Sequence, residues 1–516
     1  MSWKVFQIME MQEISRKLKR VLDGYMSSRR AFLIVTIVLG FLLYFGPSMF
    51  RWLRQKTPIM IDPNIGCVAT LLDPFSLEAS RFDASIRKSY EPSDNSFLPY
   101  TGNGKLGLSV EENSHLYIMS KRSLSLPLPF QPLIHVSLPG TSSQEGVAVS
   151  FTTGIVHHFY CFSQKRKTIG VSQQVYAHRT IPAILLQSIK VNNPLSDDIT
   201  VVLKQIGVVG DPDVHTQLKT VQGNEATEYY LHIGKVAVPD SENLVIVFAI
   251  AAVKVPDSVT VTGRGSQSLH FGLVLHHSHP MPSGEVGHIS KELGTLAEED
   301  IKKVLAAQPV ALRKSHVQAW KQLWNTGFGI SYSRAQGTLN GDKINATLYY
   351  VLSQTRALTL ELTTTSSHLQ ELESWLSYPD MCYRGHHTLQ ASTLWSELKT
   401  EKEVNNVVAL WLLTLDKQGC HNLLLSGSEG VMQAMVLSFG AFKFNNHHLE
   451  FATHPKDLHR DYFFRRLSYG NSTHLNISVV VGEDNKAVIY IALDRSDRDY
   501  YACDGGCLDP PIKLRL

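Results

Sequence analysis

ILLQSIKVNN (184–193) and DITVVLKQIGVV (198–209) decide how this chain folds. In both, Ile, Val and Leu recur at period two among polar residues, the spacing of a strand with one buried face. Asn193-Pro194 between them is a turn signal. Working outward, the pattern returns in KLGLSV (105–110), HLYIMS (115–120), LIHVSL (133–138), VAVSFTT (147–153), NLVIVFAIAAVKV (243–255), SVTVTG (258–263) and LHFGLVLHH (269–277). Short alternating runs between turn signals predict antiparallel sheets, and at this length a large two-sheet sandwich over residues 67–290.

The period then changes. Ser290–Leu323 reads as charged helix punctuated by Pro309, with His316, Trp320, Leu323 and Trp324 on one face. Gly341–Arg356 is a second expected helix and Val404–Leu415 a third. Residues 291–425 are therefore a helical middle segment. From Ser426 a helix leads into HLEFATHP, HLNISVVVG and KAVIYIALD, which predict a small C-terminal β-sandwich over 426–516. The expected class is mainly β with a helical linker (α+β).

Toward the N-terminus, Ala31–Phe50 carries no charge and at about 1.5 Å per residue spans roughly 30 Å, a bilayer's hydrocarbon core. It has neither the short apolar core nor the small-residue exit of a cleaved signal peptide. The expectation is an uncleaved signal-anchor, one transmembrane helix, with a tail at 1–30 and a stalk at 51–66. Met1–Leu22 fits an amphipathic helix on an anionic membrane face and equally a weakly structured tail. Seven basic residues precede the span and three follow it closely, which favours a cytosolic N-terminus. The sequons Asn345, Asn471 and Asn476 lie beyond the span, as do Cys67, Cys161, Cys382, Cys420, Cys503 and Cys507. Both features fit a glycosylated, disulfide-bonded lumenal body in a membrane of the secretory pathway, the endoplasmic reticulum first. Cys503 and Cys507 can form a local disulfide or take part in longer bridges; six cysteines allow fifteen pairings. A net charge of +3 over 516 residues suggests no nucleic-acid partner. HHSH (276–279) lacks the spacing of a metal site, so no metal or cofactor is expected.

Four stretches resemble glycoside hydrolase family sixty-five, the maltose, trehalose and kojibiose phosphorylases and their hydrolase relatives. They are Thr101-Gly-Asn-Gly-Lys-Leu-Gly107, Val171–Lys204 with its Asn192-Asn193-Pro194 tip, Ser315–Trp324 followed by Asn345–Leu352, and Glu429–Leu449 with Leu467–Val479. The resemblance implies two sandwiches flanking a catalytic helical barrel, with Val171–Lys204 as a core hairpin. A full barrel of twelve helices needs roughly 140 residues, and the interval 346–426 cannot hold one, so a reduced barrel remnant is expected. Tyr383-Arg-Gly385-His386 is similar to the family's substrate-side run, without the acidic motif that follows it there. Ser426 and Ser428 precede Glu429-Gly430 where the phosphorylases place phosphate-contacting hydroxyls. At closer range NATLYY (345–350), GVMQAMVLSFG (430–440), HLEF (448–451) and the Cys503–Cys507 ending resemble a KIAA-series family of single-pass animal membrane proteins. Members of that family run on into a C-terminal hydrophobic span, so this sequence is expected either to be an incomplete or alternative product or to rely on the N-terminal anchor alone, which leaves type I and type II topology both open.

Three functions are carried forward. The first is a non-catalytic membrane-anchored lumenal glycoprotein, binding a glycan or a protein client on a degenerate hydrolase scaffold. The second is an active glycosidase or phosphorylase with a rebuilt site using Glu429 or Asp380 with His386. The third is an architectural subunit of a membrane complex.

Overall fold

Along Ile184–Asn192, Ile189 and Val191 are buried while Lys190 and Asn192 face water, so the alternation becomes one inward face. The computed structural model describes residues 63–515, apart from 90–96, 165–166, 211–212, 223–225, 240, 242, 326, 446–447, 471 and 505–506. The expected tail and anchor, most of the stalk and the sequon Asn471 lie outside the described residues. Among the described residues no helix is long and apolar enough to cross a membrane.

Ile184–Asn192 lies inside a 10-stranded antiparallel sheet, between Lys167–Ala177 and Ser266–His277. Beyond Lys167–Ala177 come Ile155–Gln164, Ser143–Ser150 and the edge strand Ala84–Lys88; beyond Ser266–His277 come Leu244–Val253, Thr227–Ala237 and His215–Val221. The chain leaves this sheet at Asn193. That buried amide donates to the carbonyls of Asp197 and Val261 at 2.9 and 3.1 Å, holding a corner. Ile199–Val208 consequently joins a 3-stranded sheet with Phe130–Ser137 and Ser258–Val261, where a hairpin with 184–192 was expected. Ile134, Val136, Val201 and Leu203 of this narrow sheet share a core with Ile169, Val171, Ile189 and Val191 of the wide one. Val147, Val149 and Val156 of the wide sheet share a second core with Leu106, Leu108 and Ile118 of a further 4-stranded sheet, Tyr100–Gly102, Leu106–Ser109, Tyr117–Ser120 and Ser123–Pro127.

Pro63–Leu72 is a helix where stalk and then strand were expected. Val68 and Leu72, one turn apart, pack on Ala148 and Phe159. Gly146 permits the approach, because a Cβ there would lie 2.6 Å from Val68. The disulfide Cys67–Cys161 joins this helix to the strand Ile155–Gln164.

The charged region is two helices, Val286–Ala306 and Pro309–Trp324, with Pro309 at the start of the second where its missing N–H costs nothing. Leu293, Ala297, Ile301 and Val304 of the first form one buried stripe against the wide sheet. Of the face expected on the second, His316, Trp320 and Leu323 are buried, and Trp324 is half-buried with its indole N–H on Asp83. Gly341–Ser353 follows, nearly all buried. Ser366–Ser377, Glu401–Lys417 and His421–Leu425 complete the α-helices of the middle segment, and Ser428–Phe439 leads into the C-terminal region. A capping box of Thr400 and Glu403 starts Glu401–Lys417 earlier than its apolar pattern suggests.

The C-terminal β region is a 4-stranded antiparallel sheet with a hairpin, Phe442–Asn445 and His448–Phe451, packed on it; the Phe442 and Phe464 ring centroids are 4.8 Å apart. The first strand of the 4-stranded sheet, Phe328–Ile330, comes from within the middle segment, between the helices Pro309–Trp324 and Gly341–Ser353, and pairs with Tyr462–Ser468. His474–Val481 and Ala487–Arg495 follow. Tyr462, Phe464, Leu475, Ile477 and Val479 turn inward, while Val480, Val488 and Tyr490 stay exposed. Cys382–Cys420 and Cys503–Cys507 are the other two disulfides.

Candidate functional site

The loop Thr101–Gly107 meets the chain where the helix Gly341–Ser353 ends. Asn103 is buried; its Nδ2 donates to the carbonyls of His178 and Pro182, and its Oδ1 accepts from the N–H groups of Lys105 and Leu106 at 3.0 and 3.1 Å. Gly104 has φ +82°, and a Cβ there would lie 2.4 Å from the Arg356 nitrogen. Only glycine lets the loop close on the backbone of residues 355–356. Lys105 then projects beside His276, with Nζ 3.5 Å from Nδ1, and His276 Nε2 reaches Asp300 at 2.9 Å. Burial, with Arg356 nearby, pushes the Lys105 ammonium down to about 8.

Arg179, at the end of a wide-sheet strand, is fully buried. It donates to Ser428 Oγ through Nη2 and lies 5.2 Å from the Trp320 ring centroid. Its Nε and Nη1 carry no hydrogen bond among the described residues. Burial lowers its pKa to about 9, against the pull of Glu361. Ser428, first in the helix Ser428–Phe439, in turn donates to the Thr355 carbonyl at 2.9 Å. Arg356 makes a two-pronged ion pair with the buried carboxylate of Glu361. The junction thus gathers Lys105, Arg179 and Arg356 with Glu361 and Asp300 near the N-terminus of Ser428–Phe439.

The residues nominated from sequence are divided. Glu429 joins the junction: it is half-buried, accepts from Thr359 at 3.1 Å, and burial raises its pKa. Asp380 and His386 are exposed on the loop that Cys382–Cys420 ties down. Tyr383 fixes that loop by donating to the His386 carbonyl at 2.8 Å. Among the described residues no hydrogen bond or ion pair joins Asp380, His386 and Glu429, and no three His, Cys, Asp or Glu side chains stand together as a metal site. Ser428 was legible beforehand, whereas Lys105, Arg179, Arg356 and Glu361 were not singled out.

The family model described as Uncharacterized conserved protein (DUF2152) matches residues 16–516. The chain belongs to this family. The DUF2152 chain is 28% identical over 423 residues to the Uncharacterized protein KIAA2013 homolog of Xenopus tropicalis, covering 80% of this chain and 68% of that protein. It is 27% identical over 422 residues to the Xenopus laevis homolog, covering 80% and 69%. The KIAA-series resemblance read from the sequence is therefore borne out. The same DUF2152 chain is similar to the Protein-glucosylgalactosylhydroxylysine glucosidase of Dictyostelium discoideum, 24% identical over 194 residues, which is 36% of this chain and 24% of that one. Among solved structures, a putative kojibiose phosphorylase from human microbiome is similar with TM-score 0.39 at 8% identity, covering 54% of this chain and 42% of that one. A bacterial glucoamylase complexed with acarbose gives 0.27 at 8% identity, covering 52% and 44%.

Proposed function

We propose that this chain is a membrane-anchored lumenal glycoprotein that binds a glycan and does not cleave it. The carrying observation is the state of the junction carboxylates. Glycosidic cleavage needs an acid facing a base or nucleophile at about 5–9.5 Å. Glu361 is neutralised by Arg356, and Glu429 is the junction carboxyl whose pKa burial raises. Asp380 and His386, proposed as its partners, face solvent on another loop. Similarity to a glucosidase of glucosylgalactosylhydroxylysine supports a sugar ligand. The raised Glu429 favours one rival, a glycosidase using it as general acid. Full-length protein incubated with a glucosylgalactosylhydroxylysine peptide, or with kojibiose plus phosphate, is expected to release no sugar above the Glu429→Gln background. Turnover that falls 100-fold or more in that variant would establish the enzyme instead.

The anchor at 31–50 and the lumenal body belong to the same proposal. PNGase F is expected to increase the mobility of protein made in cells, and endoglycosidase H sensitivity to assign it to the endoplasmic reticulum. The shift should survive Asn345→Gln, because the Asn345 amide sits within a helix and donates to the Phe82 carbonyl at 3.0 Å. It should shrink in Asn476→Gln, whose half-buried residue lies on a strand of the C-terminal sheet. A mobility unchanged by PNGase F would defeat the lumenal assignment.

A further inference from the structure

A cleft of about 690 Å³ is lined by the narrow-sheet strand Phe130–Ser137 and by wide-sheet strands from Ala84–Lys88 to Lys167–Ala177. Its floor is a cross-strand row. Arg87 pairs with Val147, Val147 with His158, His158 with Gln173, and Gln173 with Ile189, so all five side chains leave the sheet on one face. Glu145 pairs with Tyr160 on that same face.

These polar groups form one connected chain. Gln187 donates to the Pro132 carbonyl at 2.8 Å and accepts from Gln173 at 3.2 Å. Gln173 accepts from the Tyr160 hydroxyl at 3.3 Å. That hydroxyl is 3.0 Å from His158 Nδ1, and His158 Nε2 is 3.0 Å from Glu145 Oε2. The chain runs from between the sheets out to a carboxylate whose side chain is 41% exposed. Side chains fixed this way lose little entropy when a ligand arrives. Arg87 is held on Glu111 at 2.7 Å at the opposite lip.

The lining charges nearly cancel, Arg87 and Lys88 against Glu111, Glu112 and Glu145. Arg87 faces Glu111, and His158 lowers the Glu145 carboxyl by its hydrogen bond. Burial keeps His135 from ionising readily. Such a cleft does not favour a polyanion or a cation. It offers unused carboxylate lone pairs and guanidinium N–H groups side by side, which suit a ligand whose every polar group both donates and accepts. The volume lies in the usual range for small-ligand clefts.

We propose that this cleft binds a neutral oligosaccharide. The inference shares its ligand class with the glycan-binding reading above but not its residues. The test is isothermal titration of full-length protein in mild detergent with maltotriose, a glucosyl-galactose disaccharide and a high-mannose oligosaccharide, with a sulfated oligosaccharide as anionic comparison. Expected is binding of at least one neutral sugar, weakened tenfold or more by Arg87→Ala combined with Glu145→Gln, with an unchanged unfolding midpoint. Tyr160→Phe, which cuts the chain but keeps the ring, should weaken it several-fold. Loss of binding in Arg356→Met but not in the cleft variants would overturn the cleft while leaving the glycan-binding reading standing. Preference for the sulfated sugar, or no binding of any neutral one at millimolar concentration, would overturn the cleft outright.

Discussion

Lowering the pH from 7 to 5 is expected to remove about 5 kcal/mol of folding stability, through three buried histidines. Desolvation by burial depresses His157 to about 3 and His178 and His232 to about 4, and each is under 9% exposed. His178 has a structural reason to stay neutral. Its Nε2 faces the Leu312 carbonyl at 2.9 Å, and its Nδ1 accepts from the Ile181 N–H at 3.1 Å, a bond that protonation would break. His316 is held well below its ordinary value in the same sense, by burial first and then by His178 and Arg179. The folded pKa values lie below the unfolded value of about 6.5. Below that pH the unfolded chain takes up protons that the folded chain refuses, so stability falls from pH 6.5 toward pH 4 and then levels. The loss rivals the whole stability of an ordinary domain, about 5–15 kcal/mol. Denaturant midpoints at pH 7, 6 and 5 test it, and His178→Gln should flatten the slope. Equal midpoints at pH 7 and 5 would refute the account.

Trp320→Ala is expected to cost about 3–5 kcal/mol, the range for emptying a large aromatic site. Trp320 is fully buried and its indole N–H donates to the Phe151 carbonyl at 2.6 Å, tying helix to wide sheet. Its ring centroid is 5.4 Å from that of Tyr349 on Gly341–Ser353. Gly154, at φ +66°, presses its bare Cα on the indole, where a Cβ would lie 2.3 Å away. Arg179 sits against the same ring. Removal therefore opens a cavity, orphans a carbonyl and strips a buried cation of its aromatic neighbour. Trp320→Phe should recover part of the loss. Leu362→Ala, at a side chain 76% exposed, should shift the unfolding midpoint hardly at all, and a Trp320→Ala shift no larger than that would contradict this account.

Much of this architecture is written locally and was legible for that reason. Period-two runs marked the sheets, Pro309 marked the helix break, and the spacing of His316, Trp320 and Leu323 marked a buried face. The corner at Asn193 was misread because a turn signal does not say whether the next strand returns to its neighbour or changes sheet. The helix Pro63–Leu72 was missed because ten residues with a proline at the front carry little period. The junction was mostly hidden. Lys105, Arg179 and Arg356 are residue types that usually face water, and only folding brings them to one place. The glycines of TGNGKLG (101–107) were the available signal, since a loop that must lie on another backbone calls for them. Asp380 and His386 stand exposed on another loop for the converse reason: a motif-like run fixes neighbours in sequence, not the direction in which they point.

The position of Cys67 decides how the body would respond to being pulled. Under the proposed anchoring at 31–50, tension reaching Pro63 would meet a covalent crosslink at Cys67, within about one helical turn. From there the force would pass through sulfur to Cys161, bypassing the rest of that helix. Cys161 lies on a strand flanked on both sides, by Ser143–Ser150 and Lys167–Ala177. Load would thus be shared by two hydrogen-bonded ladders at once. With the disulfide reduced, the same pull would first peel Pro63–Leu72 from the sheet, so the redox state of one bond sets whether the body yields at its rim or holds as a whole.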